Sequence, residues 1–192
     1  MIIKSYEINK INFLKNNFYL FYGENEGFKN QIIKKQLEES FKGNIFRYEE
    51  SEILNNKESF FEKIYTKSFF ENEKLIIVLR STDKIKDIVE EIVEKKIKDI
   101  IIVLNSSILD KKSKLRSFFE KNKDTICIPF YSDNTQTLSV IIKEFFKGKK
   151  IPISQESINL LANRCNGDRQ NLSNELNKIY NYLKNKNRIK IK

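Results

Sequence analysis

Five short apolar runs alternate along the chain with stretches whose apolar residues recur every three or four positions. Phe18-Tyr19-Leu20-Phe21-Tyr22 ends at Gly23 and predicts a first strand. The spacing of Phe28, Ile32, Ile33 and Leu37 predicts a helix over 27–41. Ile45-Phe46-Arg47-Tyr48 is a weaker second strand, and Phe60, Phe61, Ile64 and Tyr65 form one stripe of a helix over 57–67. Lys74-Leu75-Ile76-Ile77-Val78-Leu79 and Ile100-Ile101-Ile102-Val103-Leu104 lack polar alternation, as strands buried on both faces do. Ile85, Ile88, Val89, Ile92 and Val93 mark a helix over 85–97 between them. A helix over 112–122 and a fifth strand, Thr125-Ile126-Cys127-Ile128-Pro129, follow. Strand and helix in strict alternation imply right-handed crossovers and a parallel sheet covered on both sides, a three-layer α/β domain.

After Tyr131 no strand signal remains. Asp133-Asn134-Thr135 reads as a linker and helix start, and a helix over 138–146 ends at Lys147-Gly148-Lys149-Lys150. Ser154 is an N-cap candidate ahead of Ile158, Leu160 and Leu161. Asn166-Gly167-Asp168 closes that helix and opens another, along which Leu172, Leu176, Ile179, Tyr180 and Leu183 form a stripe. The expected division is therefore an α/β domain over 1–132 and a small helical domain over 133–192.

Composition narrows the chemistry. The 192 residues are 40% hydrophobic, enough for a core, and 32% charged. A mean hydropathy of −0.53 with no long uncharged apolar run excludes a membrane span. The net charge is +10, from 36 basic and 26 acidic residues, and it is uneven. Residues 140–192 hold 12 basic and 4 acidic side chains, a net +8. Thirty of the basic residues are Lys, in a chain rich in Ile, Lys and Asn, so basicity alone says little about partners. His is absent, which removes imidazole bases and ligands. Cys127 and Cys165 cannot build a zinc site by themselves. Two cysteines and no secretory h-region at the start point to a reducing, cytoplasmic setting.

In open parallel sheets ligands bind where strands end, so the turn at Gly23 is the first place to look for a site. A phosphate loop needs G-x-x-x-x-G-K-[ST]: backbone N–H groups wrap the phosphates, Lys neutralises charge and the hydroxyl holds Mg²⁺. The turn here is Gly23-Glu24-Asn25-Glu26-Gly27-Phe28-Lys29-Asn30. Its glycine spacing is one short, Lys29 does not follow Gly27 directly, and Asn30 replaces the hydroxyl. Glu24 and Glu26 add negative charge where a triphosphate would sit. After Leu79, where an NTPase keeps acidic residues for Mg²⁺ and water, stands Arg80. Asn105 reads either as a loop cap or as a polar sensor. Neither a catalytic carboxylate pair, a Ser-Lys pair nor a metal cluster is apparent, so a turn of ancestral shape without nucleotide or other cofactor is expected at Gly23, Gly27 and Lys29.

Four stretches, in order, resemble the delta subunit of bacterial DNA polymerase III, the clamp-opening member of the clamp loader: residues 18–26, 68–78, 108–115 and 166–179. The resemblance implies an AAA+-like core with a five-stranded parallel sheet that has lost its ATPase residues, then a helical lid. It also implies a collar domain that joins the other loader subunits and lies outside this chain, which ends within the lid. The implied role is non-catalytic: binding and opening the sliding clamp in DNA replication, with ATP used by partner subunits and primed DNA part of the assembly. The family's clamp contact is a small residue followed by two large apolar ones, which falls on Ser68, Phe69 and Phe70. Two adjacent aromatics on a loop suit an apolar pocket. Without the resemblance, Phe69 and Phe70 extend the Phe61–Tyr65 stripe and read as core. Two other functions compete: an NTPase or nucleotide kinase with an atypical loop, and a nucleic-acid-binding module driven by the basic C-terminal stretch.

Overall fold

The computed structural model describes residues 1–66, 73–97 and 99–185. The chain divides into two compact units: Met1–Glu24 with Lys29–Phe130, and Asn25–Phe28 with the residues from Tyr131 onward.

The first unit is built on five parallel strands: β1 (Phe18–Tyr22), β2 (Asn44–Glu49), β3 (Lys74–Leu79), β4 (Ile100–Asn105) and β5 (Thr125–Pro129). Their order across the sheet is β2-β3-β4-β1-β5, so β1 lies between β4 and β5 and every connection is a crossover. β1, β4 and β5 are buried along their whole length, which is why their sequences are unbroken apolar runs. β2 is an edge strand, half exposed, and its pattern is correspondingly weak.

The helices in chain order are α1 (Glu26–Ile32), α2 (Glu50–Asn55), α3 (Lys57–Tyr65), α4 (Lys86–Glu94), α5 (Lys114–Lys121), α6 (Thr135–Gly148), α7 (Gln155–Cys165) and α8 (Arg169–Asn185). On one face of the sheet, Leu20, Tyr22, Val78, Ile102 and Leu104 pack against Ile53, Phe60, Ile64, Ile88, Ile92, Leu115 and Phe119 from α2 to α5. The other face carries an aromatic group in which the Phe13 ring lies 5.1 Å from Tyr19 and Phe130 lies 5.1 Å from Phe21. The Tyr19 hydroxyl donates to the Phe13 carbonyl at 2.9 Å, and burial pushes its pKa up to about 12.

Several elements differ from the sequence reading. The helix expected over 27–41 is α1, then a π-turn over Ile33–Leu37 and a 3-10 turn over Glu38–Ser40, with Ile32, Ile33 and Leu37 all buried. α2 carries too few apolar residues for a periodic signal. A capping box between Glu49 and Glu52 starts it, and the buried Glu50 carboxylate holds it by accepting from Thr82 N at 2.6 Å. α4 stops at Glu94 because Lys96 takes a left-handed φ of 46°. α5 begins two residues later than expected, where Ser113 Oγ caps the Arg116 N–H.

In the second unit α6, α7 and α8 pack Leu138, Ile142, Phe146, Ile158, Ala162, Cys165, Leu172 and Leu176 into one core. Ser154 is the N-cap of α7, and Asn166 ends that helix at φ 44°. Gly167 follows at φ 82°, where an added Cβ would lie 2.8 Å from the Asp133 carbonyl oxygen. Among the described residues no helix is long and apolar enough to cross a membrane.

Candidate functional site

Gly23 leaves β1 at φ 120°, and a Cβ there would lie 2.2 Å from the Phe130 carbonyl oxygen, so the glycine is required by backbone packing alone. Its N–H donates to the Ser107 carbonyl at 2.9 Å and is therefore spent within the fold.

Lys29 stands six residues beyond Gly23, the interval at which a phosphate loop places its lysine. Its side chain is completely buried, and Nζ donates to the Ser106 carbonyl at 2.5 Å, just past the end of β4. The lysine thus serves the strand end. Asn30, at the hydroxyl position, is exposed, as are Glu24 and Glu26. At the end of β3, Arg80 pairs with Glu49 at 2.7 Å, with its own side chain 80% exposed. Such a surface pair is worth little, yet it fills the acidic position with a cation. Asn105 is the last residue of β4 and is buried. Neither its Oδ1 nor Ser106 Oγ has a hydrogen-bond partner among the described residues, so Asn105 Oδ1 caps no loop N–H. Taken together, the donor set does not fit a nucleotide with Mg²⁺: the lysine is committed, the hydroxyl ligand is missing and the acidic strand end carries Arg80. Among the described residues no group of three or more His, Cys, Asp or Glu is placed to hold a metal.

Gly27 and its neighbours belong to the helical unit. A Cβ at Gly27 would lie 2.4 Å from the Gln170 backbone nitrogen at the start of α8. Asn25 Nδ2 donates to Asp133 Oδ2 at 2.9 Å and to the Tyr131 carbonyl at 3.0 Å. Arg169 grips the same carboxylate with two bonds, Nε to Oδ2 at 2.7 Å and Nη2 to Oδ1 at 2.5 Å. Its guanidinium carbon lies 3.7 Å from the centre of the Phe28 ring. Within the helical unit, Arg169 therefore ties Asp133 and the Phe28 ring together at the start of α8. The sequence reading missed this cluster. Its only sequence sign is an arginine directly after the Asn166-Gly167-Asp168 helix break.

Ser68, Phe69 and Phe70 lie outside the described residues, within 67–72. Both flanks are described. α3 ends at Tyr65 and β3 begins at Lys74, whose buried Nζ donates to the Lys63 and Thr66 carbonyls at 2.6 and 2.7 Å. This lysine caps the carbonyl end of α3 and fixes both points from which the segment leaves.

These features define an AAA+-like fold: five parallel strands between helical layers, then a helical unit. No protein-family model matches the chain and no curated protein matches it. Solved structures do. The chain is similar to the Bacillus subtilis DNA clamp loader delta protein (YqeN), at 16% identity and a TM-score of 0.59, over 93% of this chain and 57% of that one. It is also similar to the Thermotoga maritima RuvB Holliday junction branch migration motor, at 15% identity and a TM-score of 0.56, over 92% and 58%. Domain III of the Thermotoga maritima replication initiation protein DnaA matches at 14% identity and a TM-score of 0.50, over 96% of this chain and 83% of that one. The chain therefore spans less than two thirds of the first two proteins, and at these identities the likeness is one of fold. The four stretches that resemble the delta family sit in a chain whose fold is shared with a clamp loader delta protein.

Proposed function

We propose that this chain is a non-catalytic clamp-loader subunit that binds a sliding clamp and favours its open form. What carries the reading is the set of four ordered sequence stretches that resemble clamp loader delta, in a chain whose fold is shared over 93% of its length with a clamp loader delta protein. The committed Lys29 supports a subunit that leaves ATP hydrolysis to partners. Ser68, Phe69 and Phe70 are the proposed clamp contact, and binding energy is the mechanism. The subunit shifts clamp opening only by its difference in affinity for the closed and open forms. Assembly with other loader subunits through a collar, and with primed DNA, belongs to the same proposal.

Calorimetric titration against the cognate sliding clamp tests it. Replacing Phe69 and Phe70 with Ala is expected to cost about 2–4 kcal/mol of binding, a loss of roughly 30- to 1,000-fold. The melting transition is expected to fall by far less than the ~3–5 kcal/mol typical of each buried Phe→Ala change. A large drop in melting temperature with clamp affinity intact in the folded fraction would overturn the contact. Saturable, Mg²⁺-dependent ATP binding at micromolar levels would overturn the non-catalytic reading.

A further inference from the structure

The lysines of the stretch 108–115 have no role in the clamp contact, yet the fold gathers them. An open concavity of about 540 Å³ in the α/β unit is lined by Lys86, Lys111, Lys112, Lys114 and Lys121, with Phe118 beside them. Every charged side chain in that lining is a lysine. Lys86 is occupied by Asp87 and Glu90, at 3.3 and 2.5 Å. Among the described residues the other four make no ion pair, and all four are exposed.

The nearby carboxylates are engaged mainly by backbone N–H groups and by Arg116, although the Asp83 charge also attracts Lys114. Asp83 accepts from Ser113 Oγ at 2.6 Å and from the N–H groups of Lys114 and Leu115 at 3.0 Å, so it satisfies the start of α5. Asp110 accepts from the N–H groups of Lys112 and Ser113 at 2.7 and 3.0 Å. Glu120 pairs with Arg116 at 2.7 Å. Like charges held close repel one another unless counter-charge arrives from outside.

We propose that this lysine-lined face, formed by α5 and the turn before it, is a surface for the phosphate backbone of a nucleic acid. Lysine is a flexible point charge, suited to phosphates in any sequence and poor at bidentate reading of bases. Protein–protein interfaces are depleted in lysine, which argues against an acidic protein as occupant. The surface stands independently of the clamp contact at 68–70.

Fluorescence anisotropy of a labelled DNA duplex with the full 192-residue chain, across a salt series, tests the surface. Four phosphate contacts predict a slope of log K against log salt of about −3 to −4. Lys112→Gln with Lys121→Gln is expected to reduce that slope by about two and weaken binding by between about ten- and a hundredfold near 0.1 M salt. Lys112→Arg with Lys121→Arg is expected to retain both. All variants are expected to melt like the parent, since the side chains are exposed. An unchanged slope in the Gln variant overturns the proposal. So does transfer of the loss to Lys143→Gln with Lys147→Gln on α6, or binding of polyglutamate at the lysines in place of the duplex.

Discussion

Arg169 offers the sharpest test of how the helical unit is held. Its side chain is 12% exposed and that of Asp133 is 7% exposed, so their paired hydrogen bonds are shielded from solvent. Arg169→Met keeps the length of the side chain but removes every donor. The Asp133 carboxylate then retains the Asn25 Nδ2 bond at 2.9 Å and loses both charged ones. Leaving one member of a buried pair uncompensated costs about 3–5 kcal/mol. Loss of the guanidinium over Phe28 contributes about 0.5–2 kcal/mol within that figure. Asp133→Asn leaves the arginine unpaired and is expected to cost a similar amount. The double variant is expected to cost less than the sum, with a coupling of about 2–3 kcal/mol. Urea denaturation followed by far-UV circular dichroism measures the totals. Because the chain has two units, hydrogen exchange is needed to locate the loss, which is expected in the amides of α6 to α8 and not in β1 to β5. Arg169→Met within about 0.5 kcal/mol of the parent, or strictly additive single changes, would refute the reasoning.

Gly23→Ala is expected to destabilise the α/β unit by more than about 3 kcal/mol, since an L residue is strained at φ 120° and its Cβ meets the Phe130 carbonyl at 2.2 Å. Unfolding by urea measures this, and a change under about 1 kcal/mol would show that the turn yields. Alkaline pH is expected to weaken the fold. Desolvation by burial raises the Tyr19 phenol and, together with the Glu120 charge, the Cys127 thiol, each to about 12. Both groups favour the protonated form when folded, so their contribution is complete below about pH 9 and is lost as pH rises toward 12. Tyr19→Phe with Cys127→Ala is expected to flatten stability against pH above about pH 10, and an unchanged slope there counts against the burial argument.

The sequence by itself determined four of the five strands, because doubly buried parallel strands admit only unbroken apolar runs, and β1, β3 and β5 have the expected bounds; the half-exposed edge strand β2 left only a weak run. It also determined the unfitness of the phosphate turn, since Asn30 and Arg80 are facts of residue type. Ser154 as a cap and the break at Asn166-Gly167 were legible for the same local reason. The strand order needed the tertiary structure, because crossover helices of similar length permit several orders. α2 needed it too: the bond that holds Glu50 reaches Thr82, 32 residues away. The commitment of Lys29 to Ser106 and the grip of Arg169 on Asp133 join residues 77 and 36 positions apart. No local pattern encodes such pairs. A buried charge takes the partner that chain topology brings within reach, and that partner decides whether a lysine or arginine faces a ligand or serves the fold.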